Sequence, residues 1–168
     1  MAFSFTQADK KKSADRSGPN IKMYDFLRAN PVGVLATVDP QGDPYAAVIY
    51  YSVNKDFDVT FTTKRNTKKN DDIQHNDHVQ LTVYEAASQT MAQLTGIAKE
   101  ITDALEAQEA FRATVQASLR TSLAGLPPVS KLQAGYYIAY KIHPKQLRMA
   151  VFSRPTSELD EIFQTVNL

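Results

Sequence analysis

FTTKRNTKKNDDIQHN, residues 61–76, sets four cations, Lys64, Arg65, Lys68 and Lys69, into six residues where a threonine-rich strand hands over to a helix. The whole chain of 168 residues carries a formal net charge of only +1, so this loop is basic against a remainder that is net negative. Lys68 and Lys69 fall in the first turn of the expected helix, where the positive end of the helix dipole disfavours a cation by roughly 0.3–1 kcal/mol each. An anion in front of that turn reverses the sign. Free N–H groups at a helix start, threonine hydroxyls and ammonium groups together make a phosphate seat. The other reading of the same residues is a solvated basic loop.

Upstream of this junction, Pro19 and Asn20 open a short helix with Ile21, Tyr24, Phe26 and Leu27 on its apolar side, and Asn30 and Pro31 close it. Val32 to Val38, VGVLATV, is apolar on both alternating faces, as in a strand covered on both sides. Asp39, Pro40, Gln41 and Gly42 then make a hairpin turn, Tyr45 to Val53 a return strand, Asn54 to Asp56 a second turn and Phe57 to Thr63 a third strand. Downstream, a helix is expected from about Thr67, placed to cap it, to His75. Strands follow at Val79 to Tyr84 and Gln89 to Lys99, the latter crossing Gly96 at a bulge or close approach. Asp103 and Glu106 form a capping-box-like start to a helix in which Phe111, Val115 and Leu119 recur every four residues, ended by Gly125, Pro127 and Pro128. Tyr136 to Ile142 and Gln146 to Phe152 are the last strands, joined by a turn at His143 and Pro144. Pro155 starts a terminal helix with a stripe of Leu159, Ile162, Phe163 and Val166. About seven strands with helices between them give a mainly β fold, an antiparallel barrel closed or nearly closed, which removes free sheet edges.

The length fits one domain, here residues 19–168, after a disordered polar arm over residues 1–18 that carries Lys10, Lys11 and Lys12. With no cysteine, the chain has no disulfide, thiolate metal site or cysteine nucleophile. The arm lacks the apolar core of a secretory signal, and no apolar run nears the roughly 20 residues of a membrane span. The expectation is a cytoplasmic protein without membrane contact. Near-neutral charge argues against a duplex-binding surface. Tyr45, Tyr50 and Tyr51 on one strand could stack single-stranded bases, but barrel-wall packing accounts for them equally, so no nucleic-acid partner is expected. His75 and His78 straddle the helix end at Asn76 and Asp77, and His143 sits at a turn, so no metal site is expected. GxSxG, P-loop and GxGxxG patterns are absent, and no catalytic side chain is assigned.

Four segments in order, LATVDPQGDPYAAVIYY (Leu35 to Tyr51), VTFTTKRNTKK (Val59 to Lys69), DDIQHNDHV (Asp71 to Val79) and QLTGIAKEI (Gln93 to Ile101), carry a resemblance. From about Ile21 to Gly96, and more loosely in the last strands, the chain resembles the pyridoxamine 5′-phosphate oxidase-like family of FMN-binding split barrels. Thr63, Thr67 and Lys69 fit that family's TxxxSxK pattern, with threonine in the serine place. Ile73, Asn76 and Val79 fit its ILxxNPxV pattern, with Asp77 in place of proline. The resemblance implies a six-stranded antiparallel split barrel with peripheral helices, assembled as a homodimer with FMN in clefts at the subunit interface. By it, the main chain of Val48, Ile49 and Tyr50 meets the isoalloxazine edge, Thr62 and Thr63 line the flavin, and Thr67, Lys68 and Lys69 hold the phosphate. Tyr50, Tyr51 and the terminal stripe are then interface candidates, and Arg148, Phe152 and Arg154 either reach over the partner's flavin or simply close the barrel. Ala47 stands where the oxidase proper has a phosphate-binding arginine and Ser52 where it has a lysine. Its C-terminal substrate motif is not recognisable in RMAVFSRP (Arg148 to Pro155). The implied activity is FMN-dependent hydride transfer to a small substrate other than pyridoxamine phosphate, with a nicotinamide reductant. The alternative is a non-catalytic flavin or haem carrier or sensor, haem taking His78 or His143 as axial ligand.

Overall fold

Residues 19–121, 136–153 and 163–168 are described by the computed structural model. The expected N-terminal arm therefore lies outside the described residues. Helix α1 (Pro19–Ala29) buries Met23 and Leu27 and ends at Asn30, whose backbone N–H and side-chain amide both donate to the Phe26 carbonyl at 3.1 and 2.9 Å. The hairpin of β1 (Val32–Val38) and β2 (Pro44–Tyr50) turns where expected. Gly42 takes a positive φ of 90° there, and Asp39 Oδ1 accepts from the N–H groups of Gln41 and Asp43.

The expected return strand of Tyr45 to Val53 is two strands, because Tyr51 breaks it. This residue is fully buried. Its N–H donates to the Pro31 carbonyl, and its phenol lies 2.9 and 2.8 Å from the carbonyls of Leu27 and Asn30. Beyond it, the two-residue β3 (Ser52–Val53) pairs with β4 (Val59–Lys64). The remaining strands are β5 (His78–Glu85), β6 (Thr90–Glu100), β7 (Tyr137–Val151) and β8 (Phe163–Asn167). All are antiparallel, in the order β2-β1-β5-β6-β7-β4-β3, with β8 on a further stretch of β7. Since β2 and β3 stand at opposite ends of that order but are separated only by Tyr51, the sheet has to curl until its ends meet. Six long strands thus form a split barrel around a core that includes Leu35, Phe61, Leu81, Leu94, Tyr140 and Leu147.

Three expectations are corrected by packing. His143 and Pro144 do not turn the chain: they lie inside the 15-residue β7. There the register against β6 shifts between Thr95 and Gly96, and one extra residue, Lys145, is accommodated as a bulge. Gly96 permits it, because a Cβ at this position would collide with the His143 carbonyl oxygen. The C-terminal stripe is a strand where it is described: Val166 pairs with Leu147 and packs on the core, while Phe163 lies 4.1 Å under the Arg148 guanidinium. Pro155, Leu159 and Ile162 lie outside the described residues.

The third correction concerns α3 (Ala104–Thr121), which faces the barrel with Ala110, Thr114, Ala117 and Ser118 rather than with its larger apolar residues. Small side chains let it lie close over β4 and β7, and Leu119 is left exposed. Asp103 caps α3 as expected, accepting from the Glu106 N–H at 2.8 Å, but the Glu106 carboxylate pairs with Lys141 instead of returning to the cap. The outer face of β1 and β2 is also more open than expected, with Val34 and Val48 exposed. No helix among the described residues is long and apolar enough to cross a membrane.

Candidate cofactor site

Helix α2 (Lys68–His75) closes one end of the barrel and is fixed from two sides. From the interior, the Tyr140 hydroxyl donates to Asn70 Oδ1 at 2.9 Å and accepts from Gln74 Nε2 at 2.8 Å. From the β1–β2 hairpin, the Thr37 hydroxyl donates to Asp72 Oδ2 at 2.8 Å. Asp72 is almost fully buried, and its other oxygen takes the Lys68 ammonium at 3.2 Å, which also bonds Asp39 Oδ2 at 3.2 Å and lies 5.6 Å over the Tyr45 ring. These carboxylates, Asp39 first, raise the Lys68 pKa. Lys68, named at the sequence level as a phosphate ligand, therefore has two counter-ions within its own chain. Its i, i+4 spacing to Asp72 was a readable signal. Asp39, 29 residues earlier, offered none.

Lys69 differs in every respect. It is half-buried, no carboxylate among the described residues lies within ion-pair distance, and burial lowers its pKa. Thr67 occupies the cap position, but its hydroxyl donates backwards to the Lys64 carbonyl at 3.0 Å and lies 3.3 Å from the Thr63 hydroxyl. The expected side-chain cap is not made. The Asn70 and Asp71 N–H groups donate to the Thr67 carbonyl at 2.9 and 3.1 Å, which leaves the N–H groups of Lys68 and Lys69 with neither an intrahelical partner nor a cap from the Thr67 hydroxyl, and an oxyanion is their complementary ligand.

The remaining predicted residues lie on β2 and β4, which approach each other without being hydrogen-bonded neighbours. Among the described residues β2 pairs only with β1, so its other edge has main-chain groups available along Val48, Ile49 and Tyr50. The Ile49 side chain is in the core, Val48 is 68% exposed and Tyr50 is half-buried. On β4, Thr63 is buried next to Thr67. Thr62 pairs with Ala139, which packs under Ala110 of α3, so Thr62 lies on the face that this helix covers. Its Oγ1 is buried without a hydrogen-bond partner, alone in this among the described residues. A half-buried ammonium beside an uncapped helix start fits a phosphate, and the bare strand edge of β2 offers main-chain groups to the rest of a phosphorylated cofactor, while the orphaned Thr62 hydroxyl lies under α3. Arg148 and Phe152 lie at the far end of β7, and Arg154 is outside the described residues. His75, His78 and His143 are exposed, His143 bonding Asp58 at 3.1 Å. No group of three metal-ligating side chains occurs among the described residues.

A family model described as pyridoxamine 5′-phosphate oxidase matches residues 20–149. Among solved structures, the heme binding protein from Mycobacterium smegmatis aligns with a TM-score of 0.69 and 14% identity, over 90% of this chain but only 59% of its own length. General Stress Protein 26 from Bacillus anthracis aligns with a TM-score of 0.62 and 18% identity, over 88% of this chain and 97% of that one. An F420 reductase aligns with a TM-score of 0.57 and 18% identity, over 74% and 94%. A search of curated proteins finds no match.

Proposed function

From a chain that belongs to the pyridoxamine 5′-phosphate oxidase family, we propose an FMN-binding oxidoreductase, cytoplasmic and homodimeric, that passes hydride to a small substrate other than pyridoxamine phosphate. The observation that carries this reading is Lys69, a half-buried cation with no carboxylate partner among the described residues, beside the uncapped start of α2. Placing an ammonium there costs both desolvation and dipole energy, and a bound phosphate offsets both.

FMN, when bound, supplies a ring that accepts and donates hydride at its N5. The residues of this chain bind and orient. Lys69 acts as a point charge on the phosphate, while the α2 N–H groups and the Thr63 and Thr67 hydroxyls give directional bonds. Lys68 serves this seat indirectly, since its tie to Asp39 and Asp72 holds the α2 start against the hairpin. The open edge of β2 at Val48 to Tyr50 offers main-chain groups to the ring, and the exposed Val34, Val48 and Tyr84 form an apolar face on which a second copy excludes water. With Ala47 on β2 and Ser52 on β3, neither strand carries a cation, which removes the support that a pyridoxamine phosphate site would have there.

An absorption spectrum of the purified protein tests the reading. Flavin bands are expected; a Soret band would replace FMN by haem, and a colourless protein that ignores added FMN would overturn the proposal. FMN at a hundredfold over its dissociation constant should stabilise apo-protein by about 2.7 kcal/mol. Reduction of bound flavin by NADPH or NADH, and its reoxidation by a second substrate, separates enzyme from carrier. Sedimentation at micromolar concentration should give a dimer, and Val48→Lys should shift it toward monomer.

A further inference from the structure

Two arginines from different helices share a cleft at the seam that closes the barrel. Arg28 is in the last turn of α1 and Arg120 in the last turn of α3. Both line an inner cleft of about 100 Å³ with Tyr24, Tyr51 and Ser52, and both line an outer cleft of about 280 Å³ that also touches Asp25. No carboxylate among the described residues lies within ion-pair distance of either guanidinium, Asp25 included.

Each arginine alone has an ordinary explanation, since a cation in the last turn complements the helix dipole. The pair does not. Both side chains are exposed, yet both line the same two clefts, so their positive charges are gathered on one small space where mutual repulsion is unfavourable. An oxyanion between them converts that repulsion into attraction, and the planar fork of a guanidinium matches phosphate oxygens with paired N–H bonds. Lysines would give charge without that geometry. The inner cleft is far below the roughly 300–1,000 Å³ of a site for a whole organic ligand, which limits it to one small oxyanion or the charged head of a larger molecule. Asp25 touches the outer cleft alone and leaves the inner one cationic.

We propose that Arg28 and Arg120 form a phosphate-binding site at the α1–α3 junction, separate from the α2 helix start. It takes inorganic phosphate or the phosphate of a monoester. Tyr51, which lines the inner cleft, directly follows Tyr50 at the end of β2. If the FMN reading holds, this site anchors the anionic group of a substrate whose reacting part lies toward the flavin; phosphate binding itself does not depend on that reading.

Two-dimensional NMR of the full chain, titrated at constant ionic strength with inorganic phosphate and then with glycerol phosphate, tests the site. The amides of Leu27, Ser52, Val53 and Thr121 and the Nε–H signals of Arg28 and Arg120 should shift and saturate. The double variant Arg28→Gln, Arg120→Gln should bind at least about tenfold more weakly. Tighter binding of glycerol phosphate identifies a monoester as ligand, and equal binding identifies free phosphate. The proposal falls if these signals stay still at about 10 mM ligand, weaker than any useful millimolar site, or if their shifts survive the double variant. Should that variant not fold, the two arginine side-chain signals of the unaltered protein decide. The α2 seat is read independently at the amides of Thr67 to Asn70, so failure of the FMN reading shows at different residues.

Discussion

Two neighbouring lysines at the start of α2 stand in opposite circumstances. On one flank Lys68 is exposed, yet held by Asp39 and Asp72, with Thr37 completing the buried carboxylate's shell. On the other flank Lys69 is half-buried without a counter-ion among the described residues, and Thr62 buries a hydroxyl without a partner. Polar groups satisfied inside the chain fix the architecture, and burying them unsatisfied costs energy that only a ligand returns. The first flank is thus structural, and the second is the one on which the proposed FMN site rests.

Asp72→Ala should be the most damaging way to break this division. It strands the buried Thr37 hydroxyl and frees Lys68, and should cost about 2 kcal/mol in urea unfolding at neutral pH. If stability is unchanged, the first flank is not structural. Lys69→Ala should leave the apo-protein no less stable, but weaken FMN about tenfold, roughly 1.4 kcal/mol of the ligand-induced stabilisation in a thermal-shift titration. An undiminished shift removes Lys69 from the site. Thr62→Val replaces the orphaned hydroxyl by a methyl of similar shape and should stabilise the apo-protein by roughly 1 kcal/mol. Loss of FMN affinity in the same variant would put Thr62 at the cofactor, and unchanged affinity would leave it simply under α3.

The smallest effect is expected at Asp39. The backbone N–H of Asp43, followed by Lys68 and the Gln41 N–H, holds its pKa below the ordinary aspartate value. Its contribution to stability is complete above that ordinary value and is lost as the pH falls through the depressed folded one. Asp39→Asn should therefore lower the neutral plateau of a pH–stability curve slightly, leave its acid end unchanged and so flatten the acid limb. A mutant curve parallel to the parent's at every pH would show that the hairpin turn makes no use of this charge.

Local chemistry was legible where local rules govern. Gly42 in its turn, Asn30 closing α1, Asp103 capping α3 and Gly96 at its bulge all act through neighbours in sequence or through a missing Cβ. The apolar stripes misled, because Phe111, Val115 and Leu119 look like a core face only until a close helix–sheet approach selects Ala110, Thr114 and Ala117 instead. His143 and Pro144 carry a turn signal, but the facing strand and Gly96 keep them in β7. At the candidate site, Thr63, Thr67 and Lys69 were readable as a cluster. The capture of Lys68 by Asp39 was not, since it depends on how the hairpin folds against α2.

What the sequence determined by itself is the position of the strands up to β6, most of their turns and the placing of a basic helix start after β4, all set by periodicity, turn chemistry and charge over a few residues. Tertiary structure alone decided which cation and which hydroxyl lack a partner among the described residues, and that Arg28 and Arg120, more than half the chain apart, line one cleft. The physical reason is that pairing and desolvation depend on distance in space, and a curled sheet sets those distances by bringing its first and last strands together around Tyr51.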